Sequence, residues 1–401
     1  MLRSSVSNTA SVAPRAHVRV YEALRGRQTL SQPQLAQITG LSLPTVIAAV
    51  ERLERNQLIK AVKAQRGAGR PARTVRVTPE TNAVLGIDLG GSSVRAALFD
   101  LHGTRLRELE TMSLYSFSKL SRASAMEHLS VVTKHFPEAR RVGICAPGIV
   151  TSFDALERSW LFGLKTLERR AVELLLGLPV ILENDARSAA WGELRRGRGT
   201  DNFAVMIFAF GIGAGIVAAG RLLRGARGAA GELSYLPPDI SGFSSQPRMG
   251  ALSYGFFEAL RAASPDPNAP NWEAEIFHAA ARGQKRAAKA VQSAVQHLAL
   301  AVAGIITVID PERIVLREEF PHTKELVLEP LRAMLEGIGL PAPLEISSLG
   351  RDAGLIGIAL LCAENLEREL LKNMRRILCL VRMGACSGFL RSLFCFAHCP
   401  L

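Results

Sequence analysis

Hydrophobic residues between positions 15 and 55 recur at helical spacing and predict three helices. The first covers 15–26. Ser31 and Gly40 bound the second, because a serine hydroxyl can cap a helix N-terminus and glycine can take the positive φ that ends a helix. Ser42 caps the third, which carries apolar residues on one face: Val46, Ala49, Val50 and Leu53. Helix, tight glycine turn and helix is the arrangement that lays a second helix in the major groove of DNA.

Two short segments follow, at 58–62 and 74–78, and predict a pair of strands, of which the second alternates apolar and polar residues as a half-exposed strand does. The segment between them is rich in glycine and arginine. It is predicted to form a basic wing that reaches the minor groove or phosphates; the alternative is a flexible linker. In the third helix Thr45 is the only polar residue early on, and its apolar neighbours could contact thymine methyl groups. The residues predicted to contact DNA are Ser42, Pro44, Thr45, Arg66, Arg70 and Arg73.

From 83 to 361 the chain alternates strand-like and helical segments, which is typical of an α/β body. The strands predicted from this pattern are 141–146, 180–183, 202–210, 216–219 and 313–316. The long helices predicted are 187–196, 273–309 and 352–363. This length accommodates two lobes with a cleft between them. The domain boundaries that we predict are 1–80, 81–200, 201–365 and a tail over 366–401.

The first part of this body contains a glycine-rich hairpin. Asp88 ends an apolar run, Gly90, Gly91 and Ser92 form the turn, and a second apolar run follows. Glycine has no side chain, so backbone N–H groups in such a turn can approach a phosphate or a sugar hydroxyl. These four residues, together with Gly211 and Gly213 of a later glycine-rich turn, are our phosphate-loop candidates. The alternative is a Gly-Gly hairpin turn that binds no ligand.

Four further motifs are predicted to point into the cleft. They are Pro147-Gly148 after a strand, Asn184-Asp185 between a strand and a helix, the glycine-rich turn 210–216 with Gly211 and Gly213, and Glu232 after the glycine-rich loop 225–231. A carboxylate can accept a proton from a sugar hydroxyl, and an amide can bond vicinal hydroxyls. Each motif has a simpler interpretation, as a turn or a helix cap, but their order along one chain favours a sugar site.

Composition and charge narrow the class of protein. Hydrophobic residues make up 48% of the 401 residues, and the six cysteines form no disulfide-like framework. Together with the absence of a secretory signal, this predicts a cytoplasmic protein. No run of 18 or more uncharged apolar residues occurs, so neither a spanning helix nor a membrane partner is expected.

The net charge of +13 is concentrated at the two ends of the chain. Residues 1–80 contain 13 Lys and Arg against 4 Asp and Glu, and residues 370–401 contain 5 against none. A basic N-terminal module of this size is typical of binding to the phosphate backbone of double-stranded operator DNA. The alternative is a solvated basic surface.

These motifs together resemble the ROK family (repressors, open reading frames and kinases) over roughly residues 17–363. The resemblance implies a winged helix-turn-helix followed by a two-lobed α/β body of the hexokinase–actin (ribonuclease H-like) type. The N-terminal module resembles the repressor branch, which implies a transcriptional regulator of carbohydrate metabolism genes. By the same resemblance, Asn184, Asp185 and Glu232 contact the hydroxyls of a sugar or sugar derivative. Asp185 stands where the kinases of the family have their catalytic base.

The chain departs from the family pattern at two places. Tyr235 stands where the family has a histidine, and residues 236–257 contain neither Cys nor His, so a tetrahedral zinc site lacks ligands. Arg317 and Glu318 occupy a loop where the kinases have Gly-Gly against adenosine. We therefore predict no zinc, no ATP cofactor and a sugar-modulated repressor. The alternative is an active ATP-dependent sugar kinase of the same family.

Assembly and the C-terminus are the remaining expectations. One helix-turn-helix reads only one half-site, so a homo-oligomer is expected. The Ala-rich segment 279–309 is either an interface helix or the buried central helix of the second lobe. The basic, cysteine-rich residues 370–401 fit no common zinc motif. We interpret them as a non-native or poorly ordered extension, with an amphipathic membrane-surface helix as the alternative.

Overall fold

The computed structural model divides the chain into two units, one of residues 1–82 with 365–401 and one of 83–364. The residues that the structure describes are 16–25, 27, 29–62, 73–90, 93–113, 116–117, 119–151, 155–157, 159, 166–209, 211–238, 250–269, 271–341 and 343–373. The predicted tail beyond Asn373 and the predicted wing tip over 63–72 lie outside these residues.

The first unit contains a helix-turn-helix with a small sheet. Its elements are α1 (Ala16–Leu24), β1 (Leu30–Ser31), α2 (Gln32–Thr39), α3 (Leu43–Arg55), β2 (Ile59–Val62) and β3 (Thr74–Val77). Ser31 and Ser42 cap α2 and α3, and Gly40 ends α2 with φ +63°. These caps are as predicted. The pattern missed β1, whose two residues complete a sheet of order β1-β3-β2.

The first lobe of the second unit is built on a five-stranded sheet. Its elements are β4 (Ala83–Asp88), β5 (Ser93–Phe99), β6 (Arg105–Ser113), α4 (Arg122–Lys134), β7 (Ala139–Ala146), β8 (Ile149–Val150), β9 (Ala155–Glu157), β10 (Leu167–Glu168), α5 (Arg169–Leu176), β11 (Val180–Asn184) and α6 (Asp185–Arg196). The order β11-β7-β4-β5-β6 puts β4 in the centre, with β7 and β11 parallel to it. All six residues of β4 are buried, as expected for a strand covered on both faces.

The second lobe has a sheet of order β14-β13-β12-β15-β16. Its elements are β12 (Phe203–Ile207), β13 (Gly213–Ala218), β14 (Arg221–Leu222), α7 (Ala251–Arg261), α8 (Trp272–Ala281), α9 (Lys285–Ile309), β15 (Arg313–Leu316), α10 (Glu329–Gly337), β16 (Leu344–Ile346) and α11 (Ala353–Asn373), with a π-helical turn at Lys324–Leu328 before α10. The single helix predicted over 273–309 is wrong. Gly283 has φ +82°, a left-handed conformation that ends α8 before α9 begins.

Helix α9 is the central helix of the second lobe. Its buried residues include Ala294, Val295, Leu298 and Val302, which pack in the apolar core with Phe256. In length and composition α9 could also cross a membrane, and within the described residues it alone meets that criterion. A single helix of this kind is weak evidence for a membrane span, because core helices of soluble proteins meet the same criterion, and one face of α9 packs in the apolar core of the lobe.

The last helix, α11, continues to Asn373, past the boundary predicted at 366. Residues 365–373 belong to the first unit together with α1. There Arg25 Nη1 lies 3.4 Å from Glu367 Oε2, and His17 Nε2 lies 3.2 Å from the carbonyl oxygen of Leu371. The predicted tail therefore begins with an ordered helical turn of this unit.

Candidate functional site

The candidate cleft residues of the first lobe lie at one edge of its sheet because their strands run parallel. Asp88 ends β4 and pairs in register with Cys145 of β7, while Asn184 ends β11 and pairs with Ala146. The carboxyl ends of parallel strands meet at the same edge, which is where α/β sheets bind ligands. The structure thus brings together Asp88, Pro147-Gly148 and Asn184-Asp185, as the order of the motifs predicted.

Two buried carboxylates face each other at this edge. A Cβ built on Gly90 would lie 3.0 Å from Asp185 Oδ2 and 3.1 Å from Asp88 Oδ1, so the hairpin turn touches both. Asp88 Oδ1 accepts hydrogen bonds from the amide of Gly90 (2.8 Å) and from Cys145 Sγ (3.2 Å). Burial raises the pKa of Asp88 to about 6, against an opposing effect of Arg317. Burial likewise raises the pKa of Asp185, again opposed by Arg317.

Asn184 serves as the N-cap of α6. Its Oδ1 accepts from the amide of Arg187 at 3.0 Å, and its Nδ2 donates to the carbonyl of Gly148 at 3.0 Å. The cap interpretation of this residue is therefore correct. One amide proton and one oxygen lone pair remain for a ligand, so the sugar contact of Asn184 stays a prediction.

Arg187 is a buried residue of the site that sequence reasoning missed. Its side chain, 1% exposed, joins three segments: Nε donates to Glu183 Oε1 (2.7 Å), Nη1 to the carbonyl of Gly228 (2.5 Å) and Nη2 to the carbonyl of Val150 (3.3 Å). Arg224 donates to the other oxygen of Glu183. Arg187 thereby holds the loops on both sides of Asn184-Asp185 in place. The spacing of Glu183 and Arg187, four residues apart, was the available signal.

The glycine-rich turn at 211–215 is fixed by two serines. The amide of Ile212 donates to Ser234 Oγ (3.0 Å) and Ser253 Oγ (2.7 Å), and these two hydroxyls bond each other at 2.6 Å. That amide is therefore already engaged. The roles of Gly211 and Gly213 as phosphate-loop residues stay predictions.

Glycines in this turn have different steric roles. A Cβ on Gly215 would lie 2.1 Å from the carbonyl oxygen of Ala186, so only glycine lets β13 pack against α6. A Cβ on Gly213 would lie 3.9 Å from both Ala186 Cβ and the carbonyl oxygen of Gly231. The start of α6 and the loop that leads to Glu232 therefore approach each other at Gly213. Glu232 itself is half-buried. The backbone beside Glu232 therefore lies near the start of α6, and a shared ligand contact of Asn184, Asp185 and Glu232 stays a prediction.

Arg317 enters the cleft from the second lobe. It follows β15 directly, is 1% exposed, and donates through Nε to Glu319. A Cβ on Gly354 would lie 3.4 Å from Arg317 Nη1 and 3.1 Å from Asp88 Oδ2. Its Nη1 and Nη2 have no hydrogen-bond partner within the part of the chain that the structure describes. A buried cation thus stands beside the two carboxylates, at the loop where the kinases of the family have bare glycine backbone.

Some predicted residues of the sugar and zinc regions lie outside the described residues. Gly91 and Ser92 of the hairpin and residues 239–249 of the loop after Tyr235 are among them. The residues 236–257 offer neither thiolate nor imidazole, so the zinc of the family does not fit this chain.

The candidate DNA surface is the outer face of α3. Ser42, Pro44 and Thr45 are exposed there, and Ser42 Oγ lies 2.7 Å from Thr45 Oγ1. Arg73 lies at the base of the wing and pairs with Glu54 at 2.5 Å. Arg66 and Arg70 lie outside the described residues. The DNA contacts of all six residues stay predictions.

Comparison with known proteins places these units in context. The model of the ROK family matches residues 84–365, and a model described as winged helix-turn-helix DNA-binding matches residues 15–60. The xylose repressor of Bacillus subtilis is 22% identical over 354 residues, which cover 82% of this chain and 90% of the repressor. The bifunctional enzyme NanE/NanK of Brucella melitensis biotype 1 is 38% identical over 198 residues, 48% of this chain. This match spans only 37% of the enzyme's length.

A solved structure supports the same fold. The crystal structure of a ROK family transcriptional regulator, a homologue of the E. coli MLC protein, superposes with a TM-score of 0.68 at 22% identity. The superposition covers 90% of this chain and 98% of that one. At this identity the likeness establishes the fold: a winged helix-turn-helix and a two-lobed body.

Proposed function

Since the chain belongs to the ROK family, we propose that it is a sugar-responsive transcriptional repressor of carbohydrate metabolism genes. The observation that carries the proposal is the presence, in one chain, of a helix-turn-helix with an exposed α3 and a cleft that retains Asn184, Asp185 and Glu232. Similarity to a xylose repressor over 90% of that repressor's length supports it. The effector is a sugar or sugar derivative, and the DNA-bound species is a homo-oligomer in the cytoplasm.

The first prediction concerns DNA binding by α3. We expect Ile47→Glu to weaken binding of promoter DNA about tenfold or more, because a carboxylate on this exposed face repels the phosphate backbone. Electrophoretic mobility shift at several salt concentrations measures this, and the affinity of the parent chain should fall steeply with salt.

The matched control for this variant is Val131→Glu. It makes the same change in charge at an exposed apolar residue of α4, in the other unit. Equal loss of affinity in both variants would mean that only net charge matters. Binding by Ile47→Glu as tight as by the parent chain would contradict the proposed role of α3.

The second prediction concerns the effector. We expect Asp185→Asn to weaken sugar binding by about tenfold, because the neutral amide accepts a weaker hydrogen bond from a sugar hydroxyl than the carboxylate does. Isothermal titration calorimetry with a panel of sugars and sugar phosphates measures it. Asp266→Asn, which neutralises an exposed carboxylate, serves as the control. Silence of the folded parent chain across the whole panel would contradict a sugar effector.

A second candidate function is an ATP-dependent sugar kinase. The observation that favours it is the position of Asp185, a buried carboxylate with a raised pKa beside the hairpin turn. Arg317 opposes it, because its buried guanidinium fills the loop where the kinases have bare glycine backbone. An assay of ADP release across hexoses and amino sugars separates the two functions. Turnover that disappears in Asp185→Ala would favour the kinase.

A further inference from the structure

We propose that α3 reads its operator by apolar contact with the 5-methyl groups of thymines, through Leu43, Ile47 and Ala48. The proposal rests on the proposed DNA-binding function and adds how one base is distinguished from another. Two observations support it. The side chains that the first turns of α3 expose to solvent are mostly apolar, and they include no Arg, Lys, Asn or Gln that could read a base by hydrogen bonds.

The outer face of the first two turns of α3 is apolar. Leu43 is 42% exposed and Ile47 is 36% exposed, and Pro44 and Ala48 are also exposed. The opposite face is buried in the module, with Val46, Ala49, Val50 and Leu53 in its core. The exposed apolar side chains are therefore additional to the residues that hold the helix in place.

This face contains no group for the usual hydrogen-bonded recognition of bases. Guanine and adenine are read by Arg, Lys, Asn or Gln, and residues 43–49 include none of these. The hydroxyl of Thr45 already pairs with that of Ser42 at 2.7 Å. The first turns of a recognition helix are the part that contacts base edges. The methyl group of thymine is the apolar feature that the major groove offers there.

Charge complementarity identifies DNA as the partner of this face. Residues 1–80 have 13 basic and 4 acidic residues, so the module as a whole is strongly positive. An apolar face set in a positive module matches a groove whose floor carries methyl groups and whose rims carry phosphates. In this arrangement the basic residues supply affinity, and α3 supplies the preference for thymine.

The test removes methyl groups from DNA one at a time. A binding site is first selected from a random double-stranded library with the full-length chain. Each thymine of that site is then replaced by deoxyuridine, which lacks only the 5-methyl group and still pairs with adenine. We expect at least one replacement to weaken binding about threefold to fivefold, the effect of burying one methyl group.

Variants of the protein connect the effect to α3. In Ile47→Ala the difference between thymine and deoxyuridine should disappear at the position that Ile47 contacts. Ile38→Ala truncates an isoleucine on α2 that is 48% exposed, against 36% for Ile47, and should keep the difference. Circular dichroism of both variants checks that the helices are intact.

Three outcomes would overturn the proposal. Equal affinity for thymine and deoxyuridine at every position would do so while leaving the DNA-binding function in place. If deoxyuridine weakened binding as much in Leu43→Ala, Ile47→Ala and Ala48→Gly as in the parent chain, residues outside this face of α3 would contact the thymine methyl groups. Failure of the folded chain to bind any DNA of the library would overturn the proposed function as well.

Discussion

Replacing Arg187 by methionine is expected to lower the free energy of unfolding by about 3–5 kcal/mol. Arg187 and Glu183 are 1% and 2% exposed, and their ion pair is 2.7 Å long. Methionine keeps the apolar length of the side chain but removes the charge. Glu183 then loses its buried partner, and the carbonyls of Gly228 and Val150 lose their donor. Urea denaturation followed by circular dichroism measures the change.

The chain offers a matched control in Arg224→Met. Arg224 pairs with the same carboxylate, but its side chain is 55% exposed. We expect Arg224→Met to lower the free energy of unfolding by only about 1 kcal/mol, because water solvates the exposed guanidinium and the buried carboxylate of Glu183 keeps its bond to Arg187. If the two variants were equally stable, burial of Arg187 would not be the source of its contribution. We also expect Arg187→Met to weaken sugar binding, since Arg187 holds the loops that flank Asp185.

Replacing Asp88 by asparagine is expected to raise stability at neutral pH by about 3 kcal/mol. Burial raises the pKa of Asp88 from its ordinary value of 3.8 to about 6. Ionisation is therefore harder in the folded chain than in the unfolded one, and this penalty destabilises the fold above pH 6. Asparagine carries no charge and can still accept from the amide of Gly90.

The difference in stability between Asp88→Asn and the parent chain should depend on pH. The penalty is absent below about pH 3.8, where Asp88 is protonated in both states, and it is complete above about pH 6. The advantage of Asp88→Asn should therefore shrink as pH falls from 7 towards 4, as measured by thermal unfolding. An advantage that does not change with pH would contradict the assigned cause.

Asp352→Asn provides a control of opposite sign. Partial burial opposes ionisation of Asp352, but hydrogen bonds from Arg105 and Arg95 outweigh it and lower its pKa. Its carboxylate therefore stabilises the fold above its unfolded pKa, and this contribution is lost as pH falls through its folded pKa. We expect Asp352→Asn to be less stable than the parent chain at neutral pH, with the difference shrinking in acid.

The N-terminal module was the most predictable part of the chain because its signals are local. Ser31, Gly40 and Ser42 define the helix ends through hydrogen bonds and backbone angles within a few residues. The strand at 313–316 was also predicted with its observed bounds. The single helix predicted over 273–309 was wrong because the apolar periodicity continues through Gly283. A periodic pattern does not reveal that one residue adopts the left-handed conformation that ends a helix.

The candidate site was predictable in its residues but not in its contacts. The order of Asp88, Asn184-Asp185 and Glu232 indicated a ROK cleft, and the family match confirms that fold. The sequence predicted only that Arg317 crowds the loop where the kinases of the family have Gly-Gly, and this prediction was incomplete. In the structure its guanidinium is buried beside Asp88, a neighbour 229 positions away in sequence, so the two charges influence each other.

The sequence by itself determined the caps, the turns, the buried faces of helices and the order of the motifs, because each depends on residues close together in the chain. Tertiary structure alone decided what Arg187 and Arg317 do. The partners of Arg187 come from three separate segments: Glu183 lies in β11, Val150 in β8, and Gly228 in the glycine-rich loop 225–231 of the second lobe. The tertiary arrangement of the strands and loops decides which distant segments come into contact. The periodic pattern within any one strand does not reveal that arrangement.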